Sequence, residues 1–339
     1  MLPTAPKVLD LCSGLGGLSL AARQLGMHLV AAVDTEPQAL RTFAKNFVDA
    51  RAIEGSVGGK TVLEKCRAAL RESGAAITPL IIVSGPPCQG FSAAGSRKAN
   101  DKRNKVLLAV ARAIKVLRPR CALLENVDAL LDEKHAPRLR HFRRHLSAAG
   151  YHVLNVVLNA KDYGVPQKRE RAFFFVTPTP LDESAVKMRL AELKQSEITV
   201  GACIGDLPDA PPRGETYDDE AEPRGFANHL AMRHSEAVRK KVAAIPIGGG
   251  PMSYRKLDPA KLANTLFSGH RAPPAHYAYP RSITVREAAR LQGFPDDFRV
   301  YGSFANQMMQ VTNAVPPPLA RAVLRVLGEQ CGLCLKDNG

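Results

Sequence analysis

Short apolar runs alternate with amphipathic stretches through the first half of the chain. Residues 7–11 (Lys-Val-Leu-Asp-Leu), 29–33 and 80–83 (Leu-Ile-Ile-Val) are brief and almost wholly apolar, as are 121–124, 153–158 and 172–176. Such runs read as buried strands. Between them, 18–25, 37–47, 58–73, 106–117 and 137–149 carry apolar residues at helical spacing. Pro37 opens one of these stretches and Pro119 follows another, positions where proline marks a helix boundary. The alternation predicts an α/β fold with a doubly wound sheet whose strand ends face one crevice.

The pattern breaks after Val176. Residues 177–280 are rich in Pro, Gly, Asp and His and only weakly periodic, which predicts a smaller, loop-rich region inserted in the chain. Regular signals return at 282–293, where Thr284 and Glu287 have the spacing of a capping box.

Composition narrows the class. The 339 residues suffice for one large domain or two modest ones, and no apolar run reaches the length of a membrane span. The N-terminus has no signal-peptide pattern, and seven cysteines, an odd number, argue for a reducing compartment without a disulfide framework. A cytoplasmic protein is expected. Cys331 and Cys334 form a C-x-x-C with no second pair at metal-site spacing, so no metal is expected. The net charge of +15 points to a polyanionic partner, nucleic acid first, beside the plainer reading of general solubility. The excess is clustered. Arg138, Arg140, Arg143 and Arg144 crowd one segment with His141 and His145, and Arg97, Lys98, Lys102, Arg103 and Lys105 crowd another.

Candidate chemistry gathers at the strand ends. Gly85-Pro86-Pro87 terminates the apolar run 80–83 and leaves Cys88 at its tip, where a thiol can serve as a nucleophile. Taken alone, Cys88 is equally well a small buried hydrophobe. The turn from Asp10 through Gly14, Gly16 and Gly17 joins a strand to a helix, and glycines there let backbone approach a ligand closely. Asp34, at the next strand end, can bind ribose hydroxyls. Position 19 is serine, so the full G-x-G-x-x-G spacing is missing. That tilts the cofactor from a dinucleotide toward S-adenosylmethionine, with a plain tight turn as the alternative. Glu125 follows another strand and could bind a base edge. Arg169 and Arg171 precede an apolar strand. A surface salt bridge would account for either group alone.

Taken in order, these runs resemble the cytosine-5 DNA methyltransferases. Asp10 to Gly17 resembles the family's first cofactor motif, Asp34-Thr35-Glu36 its acidic ribose motif, and Pro87-Cys88-Gln89 its catalytic Pro-Cys motif. Asp101-Lys102-Arg103 matches the segment closing the catalytic loop. Glu125-Asn126-Val127 and Gln167-x-Arg169-x-Arg171 match two further motifs. The run from Arg281 to Pro295 is the long ninth motif, nearly complete, and Asn313-Ala314 sits in the last, cofactor-side motif. Thr35, Ser56, Thr312 and Cys12 depart from the residues usual at those positions.

The resemblance implies a sequence-specific DNA cytosine-5 methyltransferase using S-adenosyl-L-methionine and releasing S-adenosyl-L-homocysteine. Cys88, Glu125, Arg169 and Arg171 would be catalytic: Cys88 attacking C6, Glu125 holding the amino group and N3, Arg171 holding O2, and Arg169 orienting Glu125 or a phosphate. Cofactor contacts would come from Asp10, Cys12, Gly14, Leu15, Gly16, Gly17, Asp34, Thr35, Ser56, Val57, Pro87, Val106, Asn313 and Ala314. DNA contacts would come from Ser92, Arg97, Lys98, Arg103, Gln167, Thr265 and Arg271. The expected division is a catalytic and cofactor domain over 1–176, a target-recognition domain over 177–280, a hinge over 281–306 and a return to the catalytic domain over 307–339. Double-stranded DNA is the expected partner of a monomer beside the nucleoid, and the sequence leaves open both a cognate restriction endonuclease acting separately and an orphan enzyme. A transfer-RNA methyltransferase is the main rival, but its Cys-Phe-Thr signature is absent.

Overall fold

The computed structural model describes residues 5–74, 79–87, 106–213, 226–251, 254–267 and 273–336. Its contacts divide the chain into two units. Unit 1 comprises 1–159, 170–194 and 317–339, and unit 2 comprises 160–169 and 195–316.

Unit 1 is built on seven strands: β1 (Lys7–Leu11), β2 (His28–Asp34), β3 (Arg51–Glu54), β4 (Leu80–Ser84), β5 (Cys121–Val127), β6 (His152–Asn159) and β8 (Glu170–Thr177). They lie in the order β3-β2-β1-β4-β5-β8-β6. Pairings among β1 to β5 are parallel, whereas β8 runs antiparallel to both β5 and β6. The strand order reverses between β1 and β4, which opens a crevice at their carboxyl ends.

The strand runs are apolar because the sheet is covered on both faces. Leu9, Leu11, Ile82, Leu124 and Phe174 join one buried cluster with residues of α3 (Lys60–Glu72), α4 (Val106–Leu117) and α5 (Ala136–Ser147). α1 (Gly17–Gln24) and α11 (Pro317–Gln330) pack on each other over the opposite face, where Leu20, Ala21, Leu319 and Val323 are buried. α2 (Pro37–Asn46) begins at the expected proline. α6 (Glu183–Glu192) is tied to α11 by Arg189, whose Nε lies 2.8 Å from Glu329.

Unit 2 has little regular structure: β7 (Gln167–Lys168) paired with β9 (Ala263–Asn264), α7 (Val200–Ile204), α8 (Glu236–Ala244), α9 (Val285–Leu291) and α10 (Phe304–Asn313). Buried polar side chains reinforce an apolar core that includes Ile283, Leu291, Phe294 and Phe298. Arg286 is fully buried and donates to the carbonyls of Ala227, Pro295 and Phe298 at 2.9, 2.8 and 2.6 Å. Burial pushes its guanidinium down to about 10. Arg281 forms a two-pronged pair with buried Glu287, 2.9 Å on each side. The predicted capping box is present: Thr284 N donates to Glu287 and Glu287 N to Thr284, at 2.8 and 3.1 Å.

The boundaries fall away from the expected ones. The chain leaves the sheet after β6 and returns for β8 and α6, so unit 1 extends to 194 rather than 176. Residues 281–316 belong to unit 2, and only α11 and its tail return. The physical reason is that the ninth-motif arginines spend their donors on carbonyls and carboxylates of 206–228 and 295–298.

Candidate active site

The glycine turn is anchored to β2. The backbone N–H groups of Cys12 and Ser13 donate to the Val33 carbonyl at 2.8 and 3.1 Å. Cys12, Gly14 and Gly16 all have positive φ, of 66°, 53° and 101°. A Cβ at Gly16 would meet the Phe47 ring at 2.6 Å, so close packing demands glycine there. A Cβ at Gly14 would meet nothing within 4 Å, which leaves open space before the turn. Gly17 is buried and starts α1. The side chains of Leu15 and Val57 are buried and offer a ligand only their backbone.

Asp34 is more engaged than sequence suggests. Its Oδ2 accepts from Gly14 N at 2.7 Å, and its Oδ1 accepts from Thr35 N and Glu36 N at 2.7 and 3.0 Å. A carboxylate has about four acceptor positions. Three are filled, which leaves room for one ribose hydroxyl on Oδ2 rather than two. Thr35 and Ser56 are exposed nearby in sequence, at the ends of β2 and β3, and the Ser56 carbonyl accepts from Gly59 N at 2.8 Å.

Asp10 is wholly buried, with Ser19 Oγ donating to its Oδ2 at 2.6 Å. Its Oδ1 has no hydrogen-bond partner. Burial raises this carboxyl to about 7, against the pull of Ser19 and with help from Asp34. An open oxygen on a buried acid beside a turn with free space suits a cationic ligand. Together with a ribose acceptor at Asp34, these residues fit an adenosine-bearing cation such as S-adenosylmethionine. The Cys12 thiol is pushed far up by burial and by Asp34, so it stays neutral and is no rival nucleophile.

Glu125 and Arg171 meet because of the antiparallel pairing. Glu125 lies opposite Phe173 and Val127 opposite Arg171, so the two side chains are diagonal neighbours on one face. Arg171 Nε lies 2.9 Å from Glu125 Oε1, with both side chains largely buried. Within unit 1, Arg171 thus holds the Glu125 carboxylate. Asn126, on the other face, donates from Nδ2 to the Pro86 carbonyl at 3.1 Å and accepts from Val127 N at 2.9 Å. This side chain pins the Gly-Pro-Pro turn to the strand that carries Glu125, a role missed in sequence. Its signal was the adjacency of Asn126 to the acid. Pro87 is exposed, and Val106 opens α4 half-buried. Cys88, Ser92, Arg97, Lys98, Arg103 and Arg271 lie outside the described residues.

In unit 2 the expected contacts are drawn inward. Gln167 is fully buried: its Nε2 donates to Leu291 O and Gln292 Oε1 at 3.1 and 2.6 Å, and its Oε1 accepts from Leu266 N at 3.0 Å. The side chain thereby brackets three segments of the unit. Thr265 donates to the Lys168 carbonyl at 2.7 Å. Buried Arg169 donates from Nη2 to the Ala314 carbonyl at 3.1 Å. Asn313 ends α10, and Gln292 also donates to Ala314 O, at 3.0 Å.

Residues 6–329 match the family model described as C-5 cytosine-specific DNA methylase. The chain is 34% identical over 364 residues to the Type II methyltransferase M.XorII of Xanthomonas oryzae, covering 94% of this chain and 84% of that protein. It is 32% identical to M1.HphI of Haemophilus parahaemolyticus, covering 93% and 84%. Among solved structures, the S. pombe Dnmt2 methyltransferase shares the fold, with a TM-score of 0.64 at 16% identity over 96% of this chain and 98% of that one.

Proposed function

Because the chain belongs to the C-5 cytosine-specific DNA methylase family, we propose that this DNA cytosine-5 methyltransferase works through a covalent adduct between Cys88 and C6 of a flipped cytosine. The observation that carries the proposal is the pairing of Glu125 with Arg171 beside the Asn126 anchor, which fixes the turn two residues before Cys88.

Cytosine C5 is a weak nucleophile. The Cys88 thiolate adds to C6, the C5=C6 electron pair is released into the ring, and C5 becomes enamine-like. Glu125 holds the 4-amino group and N3, which favours the protonated ring. Arg171 keeps that carboxylate in place. S-adenosylmethionine, when bound, supplies an electrophilic methyl group for C5. The C5 proton is then lost, the Cys88–C6 bond breaks, and the ring double bond is restored. On the cofactor side, Asp10 offers its open oxygen to a cation and Asp34 accepts a ribose hydroxyl. The target atoms are inaccessible in a stacked duplex, so the base must leave the helix. Unit 2 is assigned the reading of sequence.

Bisulfite sequencing of DNA from cells expressing the protein locates the methylated site. DNA carrying 5-fluorocytosine there is expected to trap the wild type covalently, because fluorine does not leave as a proton does. Cys88→Ser is expected to give neither methylation nor adduct. Wild-type turnover in Cys88→Ser would overturn the mechanism.

A further inference from the structure

The molecule has a second concentration of positive charge, away from the residues assigned to catalysis. α4 and α5 lie side by side over one face of the sheet. Neither contains an Asp or Glu. α4 exposes Arg112 and Lys115, and α5 exposes Arg140 and Arg144 with His141 and His145 half-exposed. Among the described residues, no acid pairs with Arg112, Lys115, Arg140 or Arg144. Arg144 Nη2 lies 3.1 Å from His141 Nδ1, and the His141 and His145 rings stand 4.5 Å apart. His141 is pushed below the usual histidine range by desolvation and by the charges of His145, Arg144 and Arg112. So the field of Arg112 on one helix reaches the other helix.

Structural use does not explain the cluster. Where arginines of this region serve the fold, the contact is plain. Arg143 donates to the Val153 carbonyl at 2.6 Å and to Asn155, and Arg118 donates to the Ala149 carbonyl. Arg112, Arg140 and Arg144 make no such tie to sheet or loop. Crowding like charges without counter-charges costs stability, and only an anion recovers it. Several cations across two parallel helices match a repeating anion better than a single one.

Resting on the methyltransferase reading, we propose that the exposed face of α4 and α5, through Arg112, Arg140 and Arg144, binds the phosphate backbone of substrate DNA outside the methylated sequence. The face makes no base contacts, so it adds affinity for length and none for sequence. In the chain α4 follows β4 and α5 follows β5. Arg112 lies six residues into α4, a rise of about 9 Å from the start of that helix.

The test uses the full chain and the site found by bisulfite sequencing. Two duplexes carry that site centrally, one of roughly one and a half helical turns and one of roughly six turns. For wild type, KM is expected to be several-fold lower on the long duplex. In Arg112→Glu/Arg140→Glu/Arg144→Glu that advantage is expected to disappear, with KM on the long duplex rising at least about fivefold, while kcat and short-duplex KM stay unchanged. The slope of log Kobs against log salt on long DNA should fall by about 3, the release expected for three phosphate contacts. The milder triple Gln variant should shift both in the same direction, with an unchanged melting temperature. If both variants keep wild-type KM and salt slope on the long duplex, the inference is overturned, as it would be for a face reserved for an acidic protein. If the wild type methylates neither duplex, the methyl-transfer reading fails instead, and the salt slope still decides this one.

Discussion

Asp10→Asn separates the stability of the protein from its use of cofactor. In the native state this carboxyl is raised to about 7 from an ordinary 3.8, chiefly by burial. At 1.36 kcal/mol per pH unit, that gap corresponds to a linkage of ~4 kcal/mol. The sign follows from proton counts. Between about pH 4 and 7 the native state holds a proton that the unfolded chain has lost, so stability falls as pH rises through this window. Above the native value the contribution is constant. Urea unfolding of the cofactor-free protein, from about pH 4.5 to 8, should therefore show wild type losing ~3 kcal/mol relative to Asp10→Asn. The difference between the two cancels most contributions of other acids. The amide also leaves a buried donor without a partner at the open Oδ1 position, a constant penalty of ~1–3 kcal/mol that shifts the curve without tilting it. Cofactor binding should tilt the other way. A cation beside Asp10 favours its ionised form, so affinity by calorimetry should climb with pH toward 7 in wild type. In Asp10→Asn it should be weaker and flat. Parallel stability profiles would mean that Asp10 does not hold a proton in the native state, and the reasoning would fall.

Glu125→Gln should cut kcat by at least about a hundredfold, within the range of lost proton-handling groups, while DNA affinity by gel shift changes little. Normal turnover would remove Glu125 from the chemistry. Arg281→Ala leaves buried Glu287 without its two-pronged partner, a loss of ~3–5 kcal/mol. Loss of unit 2 signals in thermal unfolding checks this, and an unchanged melting temperature contradicts it. Asp34→Ala should weaken cofactor binding by ~1.5–3 kcal/mol, the range for one hydrogen bond to a charged acceptor. A loss twice as large would mean that Asp34 holds both ribose hydroxyls.

Much of unit 1 was legible because its strands are continuous apolar runs and its helices carry clear periodicity. β1, β2, β4 and β5 and helices α1 to α5 emerge within a few residues of their observed limits, and the motif order points to the family. β3 escaped because only Ile53 of its four residues is buried. The reversed direction of β8 could not be read, since pairing direction leaves no mark on a fully buried strand. That direction brings Arg171, not a residue adjacent in sequence, to Glu125. Unit 2 was poorly legible for a different reason. Its apolar core, which includes Ile283, Val285, Leu291, Phe294 and Phe298, is interleaved with buried polar side chains such as Gln167, Arg281, Arg286 and Glu287, which sequence patterns read as surface or ligand contacts. The sequence by itself determined which residues can do chemistry and the order in which they occur. The tertiary structure decided which of them are occupied by the fold. Gln167 is consumed as a bracket, Asp34 keeps one acceptor position, and Asp10 keeps an open oxygen, because hydrogen-bond partners are chosen by packing in three dimensions.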